Sequence, residues 1–152
     1  ARADAAVRRT ALLADGWLPS WVSPRRLKRV KAEMIAIGTA AGRDLSRFEI
    51  GHVVRVYVAS TAQEAADQVA RFRVKAWGHP YEPDVVAHLQ AVGPPAACRR
   101  RIAEFIAAGA DRIFLQIECP WPEFDEQLRM IRGEILDRRD EILAEAARTV
   151  IE

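Results

Sequence analysis

The stretch that decides the fold is FEIGHVVRVYVA, residues 48–59. Its centre, Val53 to Val58, is rich in β-branched residues, which suit a pleated and half-buried surface, so the stretch predicts a β-strand. The sequence TAQE follows at residues 61–64 and matches a capping box, in which Thr61 and Glu64 satisfy the first free amides of a helix. A strand that leads directly into a helix, here one that extends to about Trp77, is the repeating unit of an α/β fold.

The same alternation continues on both sides of this stretch. Periodicity and end signals predict two further strands, over residues 15–19 and 112–118, and helices over residues 4–14, 23–41, 83–90 and 93–109. A last helical stretch begins near Pro122, and residues 141–150 either continue it or form another helix. Because neighbouring parallel strands need a long connection, strands separated by helices predict right-handed parallel crossovers. We therefore expect a single domain over residues 1–152, either part of a TIM (β/α)8 barrel or a small doubly wound sheet.

Composition and charge exclude several classes of function. The 152 residues carry a formal net charge of +2, and the arginines are dispersed among acidic residues, so we expect no nucleic acid partner. No apolar run approaches the length of a membrane span, which predicts no membrane association. Cys98 and Cys119 lack the CxxC spacing and a nearby histidine pair, so we expect reduced thiols, no metal site and a cytoplasmic protein.

The beginning of the chain carries no targeting signal. Residues 1–4 lack the layout of a signal peptide, and the sequence does not start with Met. We therefore expect a processed chain or a fragment of a longer protein.

Five short motifs, in a fixed order, carry a family resemblance. They are the stretch 5–19 that ends in Asp-Gly-Trp-Leu-Pro, Ala-Gly-Arg-Asp at 41–44, Val-Tyr-Val-Ala-Ser-Thr at 56–61 with Glu-Ala-Ala at 64–66, Val-Gly-Pro-Pro at 92–95, and Ala-Ala-Gly-Ala-Asp-Arg-Ile at 107–113. Each motif is weak alone, but together they resemble the bacterial luciferase-like monooxygenase family from about Ala3 to Ile135. The chain departs from the family pattern at Pro95, where an acidic residue is usual at this helix start.

The resemblance implies a fold and an activity. It implies the C-terminal part of a TIM barrel that begins after about the fifth strand and binds FMN or coenzyme F420 (8-hydroxy-5-deazaflavin) in the barrel mouth. FMN-dependent members receive reduced flavin, which makes a flavin reductase a partner, and activate oxygen, whereas F420-dependent members transfer hydride. We expect a small-molecule substrate and a homodimer. The alternative is a non-catalytic half-barrel that serves as a binding or assembly module.

Site residues are expected at the carboxyl ends of the strands, where TIM barrels carry their active sites. The resemblance implies a phosphate-binding turn at or just before Ala1 and Arg2, which makes both residues candidates for cofactor binding. Trp17 either lines the cofactor cavity or packs in the core. Trp21, after the first strand, and Glu118, at the end of the last strand, are candidates for substrate binding. No catalytic residue can be assigned from the pattern.

Two polar residues interrupt the central strand. His52 and Arg55 differ by three positions, so their side chains should point to opposite faces of the sheet. A buried arginine needs a partner, and Arg55 is predicted to pair with Glu118 or with Glu49.

Overall fold

A computed structural model describes residues 4–152, apart from the side chains at positions 83, 84 and 87. Helices and parallel strands alternate along most of the chain, as the sequence predicts. The elements are α1 (Asp4–Leu13), β1 (Gly16–Trp17), α2 (Pro24–Ala40), β2 (Glu49–Val58), α3 (Ala62–Trp77), α4 (Pro83–Leu89), β3 (Ala91–Gly93), α5 (Pro95–Ala107), β4 (Arg112–Ile117), α6 (Phe124–Glu134) and α7 (Arg139–Arg148), with 3₁₀ turns at Trp121–Glu123 and Leu136–Arg138. No helix in this part of the chain is long and apolar enough to cross a bilayer.

Strand β2 is the centre of the sheet, and all of its partners run parallel to it. β1 pairs with residues 49–50 of β2, β3 with residues 56–58 and β4 with residues 51–56. The prediction of parallel strands linked by helices is therefore confirmed. β3 was not predicted, because a strand of three residues is too short to show a period.

The hydrogen bonds of β2 show which neighbour lies on which edge. The Val53 amide donates to the carbonyl of Pro19, just after β1, at 2.9 Å, and the Ala59 amide donates to Gly93 in β3 at 3.0 Å. Alternate residues of a strand direct their backbone groups to the same edge, so β1 and β3 share one edge of β2 and β4 occupies the other. This order, β1 and β4 on opposite sides of β2, is the order of successive strands in one arc of a barrel.

The two faces of the sheet have different roles. The even-numbered residues of β2, from Ile50 to Val58, are fully buried and pack on α2 and α5 through Leu27, Met34 and Phe105. The other face, which we call the open face, carries Leu18, Gly51, Val53, Arg55, Phe114 and Gln116. Leu18 and Phe114 on this face are 58% and 49% exposed. The helices thus cover one face of the sheet and leave the other available for function.

Two side chains continue the hydrogen-bond ladder beyond the ends of β4. The Asp111 carboxylate accepts a bond from the Ile50 amide at 2.7 Å. At the other end, the amide of Gln127 in α6 accepts from the Val58 N–H at 2.9 Å and donates to the Val58 carbonyl at 2.8 Å. Backbone groups buried without a partner are costly, so these side chains satisfy the part of β2 that β4 is too short to reach.

Replacing Gln127 by Met should destabilise the protein without changing the volume of the site much. Both bonds to Val58 are lost and two buried backbone groups remain unpaired, so the free energy of unfolding should fall by about 2 kcal/mol or more. Urea unfolding followed by circular dichroism measures this. The matched control is Gln116→Met on the open face, where the side chain is exposed and the change should stay within about 0.5 kcal/mol. Equal losses in the two variants would refute the role of Gln127.

Candidate functional site

Polar and aromatic side chains meet at the carboxyl ends of β2 and β4. Arg55 lies on the open face of β2, and Glu118 follows β4 directly. Trp21 comes from the segment after β1, Tyr81 from the segment before α4, and Arg73 from α3. We call these five residues the mouth cluster. Parallel strands that run side by side bring their carboxyl ends to the same edge of the sheet, which is why residues far apart in sequence meet here.

A buried ion pair lies at the centre of the mouth cluster. Nε of Arg55 is 3.0 Å from Oε1 of Glu118, and the side chains are 12% and 3% exposed. The Tyr81 hydroxyl donates to the same oxygen at 2.7 Å, and Arg55 also donates to the Ser20 carbonyl at 3.3 Å. The second oxygen, Oε2, is buried and has no hydrogen-bond partner among the described residues. Glu118 therefore offers a free acceptor in a buried place, where an unmade hydrogen bond is costly.

Aromatic rings enclose this ion pair. The Arg55 guanidinium lies over the Trp21 ring, 4.1 Å from its centroid, and the Trp21 and Tyr81 rings are 5.0 Å apart at 58°. The Arg73 guanidinium lies over the Tyr81 ring at 4.0 Å. Burial, and then the hydrogen bond and charge of Glu118, raise the pKa of Tyr81 well above its ordinary value. The Tyr81 hydroxyl therefore remains protonated at neutral pH and acts as a donor.

A second group of side chains, which includes Tyr57 and Cys119, packs against Tyr81 of the mouth cluster. The Tyr57 hydroxyl donates to Oε2 of Glu123 at 2.9 Å, and burial, followed by this hydrogen bond, raises the pKa of Tyr57. Cys119 packs in the same apolar cluster as Tyr57. Burial, followed by the charge of Glu123, raises the pKa of the Cys119 thiol as well. A thiol in such surroundings stays protonated and is a poor nucleophile.

The structure places the predicted site residues in three different settings. Trp21 and Glu118 lie together in the mouth cluster. Trp17 is 5% exposed and packs in the core on the helix-covered face, because it pairs in register with Ile50. Ala1 and Arg2 lie outside the described residues, so their predicted phosphate site has no structural description.

The predictions for the polar residues of β2 have clear outcomes. Arg55 pairs with Glu118, as expected, whereas Glu49 pairs with Arg112 at 2.8 Å at the start of the strand. His52 points to the opposite face, where its ring lies 4.0 Å from that of Phe105. Burial lowers the pKa of His52 to about 4, so the ring is neutral. His52 is therefore separated by the sheet from the mouth cluster.

Sequence reasoning missed Tyr81 and Arg73. Tyr81 stands in a loop between two prolines and belongs to no periodic segment. Arg73 carried a signal that could have been used: Ala65, Val69 and Arg73 are spaced by four residues, which places the arginine on the apolar side of α3. Among the side chains described, no group of three or more His, Cys, Asp or Glu residues could hold a metal ion.

Comparison with known proteins identifies the fold. No curated protein matches the chain. The coenzyme F420-dependent tetrahydromethanopterin reductase from Methanopyrus kandleri is similar over 91% of this chain and 49% of its own, with a TM-score of 0.67 and 11% identity. A monooxygenase from Streptomyces bottropensis is similar over 88% and 45%, with a TM-score of 0.63 and 23% identity. The oxygenating constituent of 3,6-diketocamphane monooxygenase from Pseudomonas putida, in complex with FMN, is similar over 87% and 45%, with a TM-score of 0.51 and 19% identity.

These likenesses concern the fold, since each identity is below 25%, and the chain spans about half the length of each of the three structures. A model of the luciferase-like monooxygenase family matches residues 1–112, well over half of the 152 residues. The five motifs and the parallel arc of strands agree with that match, and the chain belongs to the luciferase-like monooxygenase family.

Proposed function

We propose that this chain supplies the C-terminal part of an oxidoreductase that uses FMN or coenzyme F420 to act on a small organic substrate. The observation that carries the proposal is the unpartnered Oε2 of Glu118, buried at the carboxyl end of the sheet beside aromatic side chains. Family membership supports the same position, because ligands of parallel barrels bind at this end. Among proteins with a similar fold, the tetrahydromethanopterin reductase depends on coenzyme F420 and the 3,6-diketocamphane monooxygenase constituent is in complex with FMN.

The residues at the mouth fit a flavin-like ring system. Such a ring presents flat apolar faces and an N–H donor on its edge. Trp21 offers apolar surface, and Oε2 of Glu118 offers an acceptor for the N–H. We propose that Glu118 and Trp21 hold the ring. Trp17 is not included, because it is packed under the helices.

The residues of the chain act by orientation and exclusion of water. When bound, the cofactor supplies the electrons, either as a hydride for the substrate or as an electron pair for oxygen. Arg55 and Tyr81 both bind Oε1 of Glu118, so they fix the direction in which Oε2 points. The packed rings of Trp21 and Tyr81 keep water from this carboxylate, which strengthens its interactions with a ligand. If the cofactor is FMN, a separate flavin reductase would deliver it in reduced form.

The role of Glu118 predicts a specific loss of cofactor binding. In Glu118→Gln a charged acceptor becomes neutral, so the Kd for FMN or F420 should rise about tenfold or more. Titration followed by flavin absorbance or deazaflavin fluorescence measures this at pH 7. The control is Glu33→Gln, which makes the same change at an exposed position on α2, outside the mouth cluster.

Two outcomes would count against this proposal. If the unaltered chain perturbs neither cofactor signal, the assignment of a cofactor to this chain is wrong. If Glu118→Gln keeps its circular dichroism spectrum and binds as tightly as the Glu33→Gln control, Glu118 does not hold the ring.

A second candidate function is assembly without catalysis, and the exposure of Leu18 and Phe114 favours it. Apolar side chains exposed together on a sheet face mark an association surface. On this hypothesis, light scattering should give a mass above that of one chain, and Phe114→Asp should return it to one chain. Leu13→Asp is the control, since Leu13 is exposed on α1. A single-chain mass for the unaltered protein would exclude self-assembly through the open face.

A further inference from the structure

Of the open-face residues, all of which the structure describes, Gln116 is the polar one that has no hydrogen-bond partner. It is exposed in β4, which is otherwise apolar from Ile113 to Ile117, and its amide bonds to none of the described residues. Arg55, the other polar residue of this face, is held by Glu118 and by the Ser20 carbonyl. The open face therefore carries an amide whose donor and acceptor are both free.

The pairing of β2 with β4 fixes the level of Gln116. This residue is the register partner of Arg55, and it lies two residues before Glu118 on the same side of β4. Glu118 still belongs to the ladder, because its amide donates to the Val56 carbonyl at 3.2 Å. Two residues of a strand span about 7 Å. Gln116 thus lies just below the carboxylate of the mouth cluster.

A side chain that starts at this level reaches the mouth. Arg55 starts beside Gln116, and its Nε lies 3.0 Å from Oε1 of Glu118. The Nε2 atom of a glutamine is separated from its Cα by as many bonds as the Nε atom of an arginine. The amide nitrogen of Gln116 therefore has the reach to contact a ligand that is bound to the Glu118 carboxylate.

The level below Gln116 is closed by apolar side chains. Phe114 precedes it on the same side of β4, and Leu18 and Phe114 both lie over Gly51. A ligand at the mouth thus finds its polar partners at the level of Gln116 and above. In a closed barrel the open face is turned inward, where an amide without a hydrogen-bond partner is costly. Gln116 accordingly calls for a partner that the described residues do not supply.

We propose that Gln116 binds the edge of the flavin-like ring together with Glu118. On the pyrimidinedione edge that FMN and F420 share, an N–H lies between two carbonyl groups. Oε2 of Glu118 accepts from the N–H, and Nε2 of Gln116 donates to one of the adjoining carbonyl oxygens. An acceptor and a donor side by side match this edge and select against a ring that lacks the carbonyl. The inference rests on the proposed function, because it requires the ring to lie at the mouth.

The test is the affinity of the full chain for FMN and F420 in Gln116→Met. This change removes the donor but keeps the length of the side chain, and loss of one hydrogen bond should raise the Kd about fivefold. Gln116→Glu keeps the size, removes the donor and adds a negative charge near Glu118, so the Kd should rise at least as much. Gln63→Met, the same change at an exposed position on α3, is the matched control and should keep the Kd of the unaltered protein.

Thio analogues of FMN test whether the bond is made to a carbonyl oxygen. In 2-thio-FMN and 4-thio-FMN, sulfur, a weaker acceptor, replaces one of the two oxygens beside the N–H. The unaltered chain should bind one of these analogues about fivefold less tightly than FMN. Gln116→Met should bind that analogue and FMN alike. Such coupling is expected of two groups in direct contact, and a purely structural role of Gln116 would not produce it.

The outcomes separate this inference from the proposed function. If Glu118→Gln weakens cofactor binding while Gln116→Met binds as tightly as Gln63→Met, the proposed function stands and the role of Gln116 is wrong. That role is also wrong if the chain binds FMN and both thio analogues equally well. If the unaltered chain binds neither FMN nor F420, the proposed function and this inference fail together. For a chain that binds F420 alone, the affinities of the two Gln116 variants and of the Gln63→Met control decide.

Discussion

The register of β2 is the constraint on which the rest of the structure depends. This strand is hydrogen-bonded on both edges, and its side chains alternate between the helix-covered core and the open face. A slip of one residue would move Arg55 under the helices and would expose Val54 and Val56. Side chains at the ends of the ladder, Asp111 and Gln127, bind the backbone of Ile50 and Val58 and so stabilise this register. The position of the mouth cluster therefore follows from the pairing of one strand.

The ion pair between Arg55 and Glu118 is better understood as a positioning device than as a source of stability. Burying two charges costs about as much as their attraction returns, so apolar residues in their place are often no less stabilising. What the pair provides here is direction, because one carboxylate oxygen is occupied twice and the other is left without a partner. The rings of Trp21 and Tyr81 fix both partners from the side. Together these contacts orient one acceptor atom, Oε2 of Glu118.

The sequence was informative wherever a pattern is repeated along the chain. The β-branched run of β2, the capping box at Thr61 and the alternation of strands with helices predicted the architecture, and the spacing of His52 and Arg55 predicted their opposite faces. It was uninformative where contacts depend on the path of a loop. Tyr81 binds Glu118, 37 positions away in sequence, and Gln127 binds Val58, 69 positions away. No pattern of neighbouring residues predicts contacts over such separations. The face of Trp17 was left open because the predicted strand over residues 15–19 is too short to show which of its sides faces the core; in the structure only Gly16–Trp17 forms a strand.

Gly51 leaves room on the open face for side chains from both neighbours of β2. A Cβ at this position would lie 2.7 Å from a methyl carbon of Leu18 and 3.1 Å from the ring of Phe114, so both side chains already lean over the central strand. β1 and β4 are not paired with each other, but Leu18, directly after β1, and Phe114, in β4, both occupy the space above Gly51. In related sequences, the sizes of the residues at positions 18 and 114 should therefore change together, with a smaller residue at one compensated by a larger residue at the other. A side chain at position 51 should occur only where both neighbours have become small.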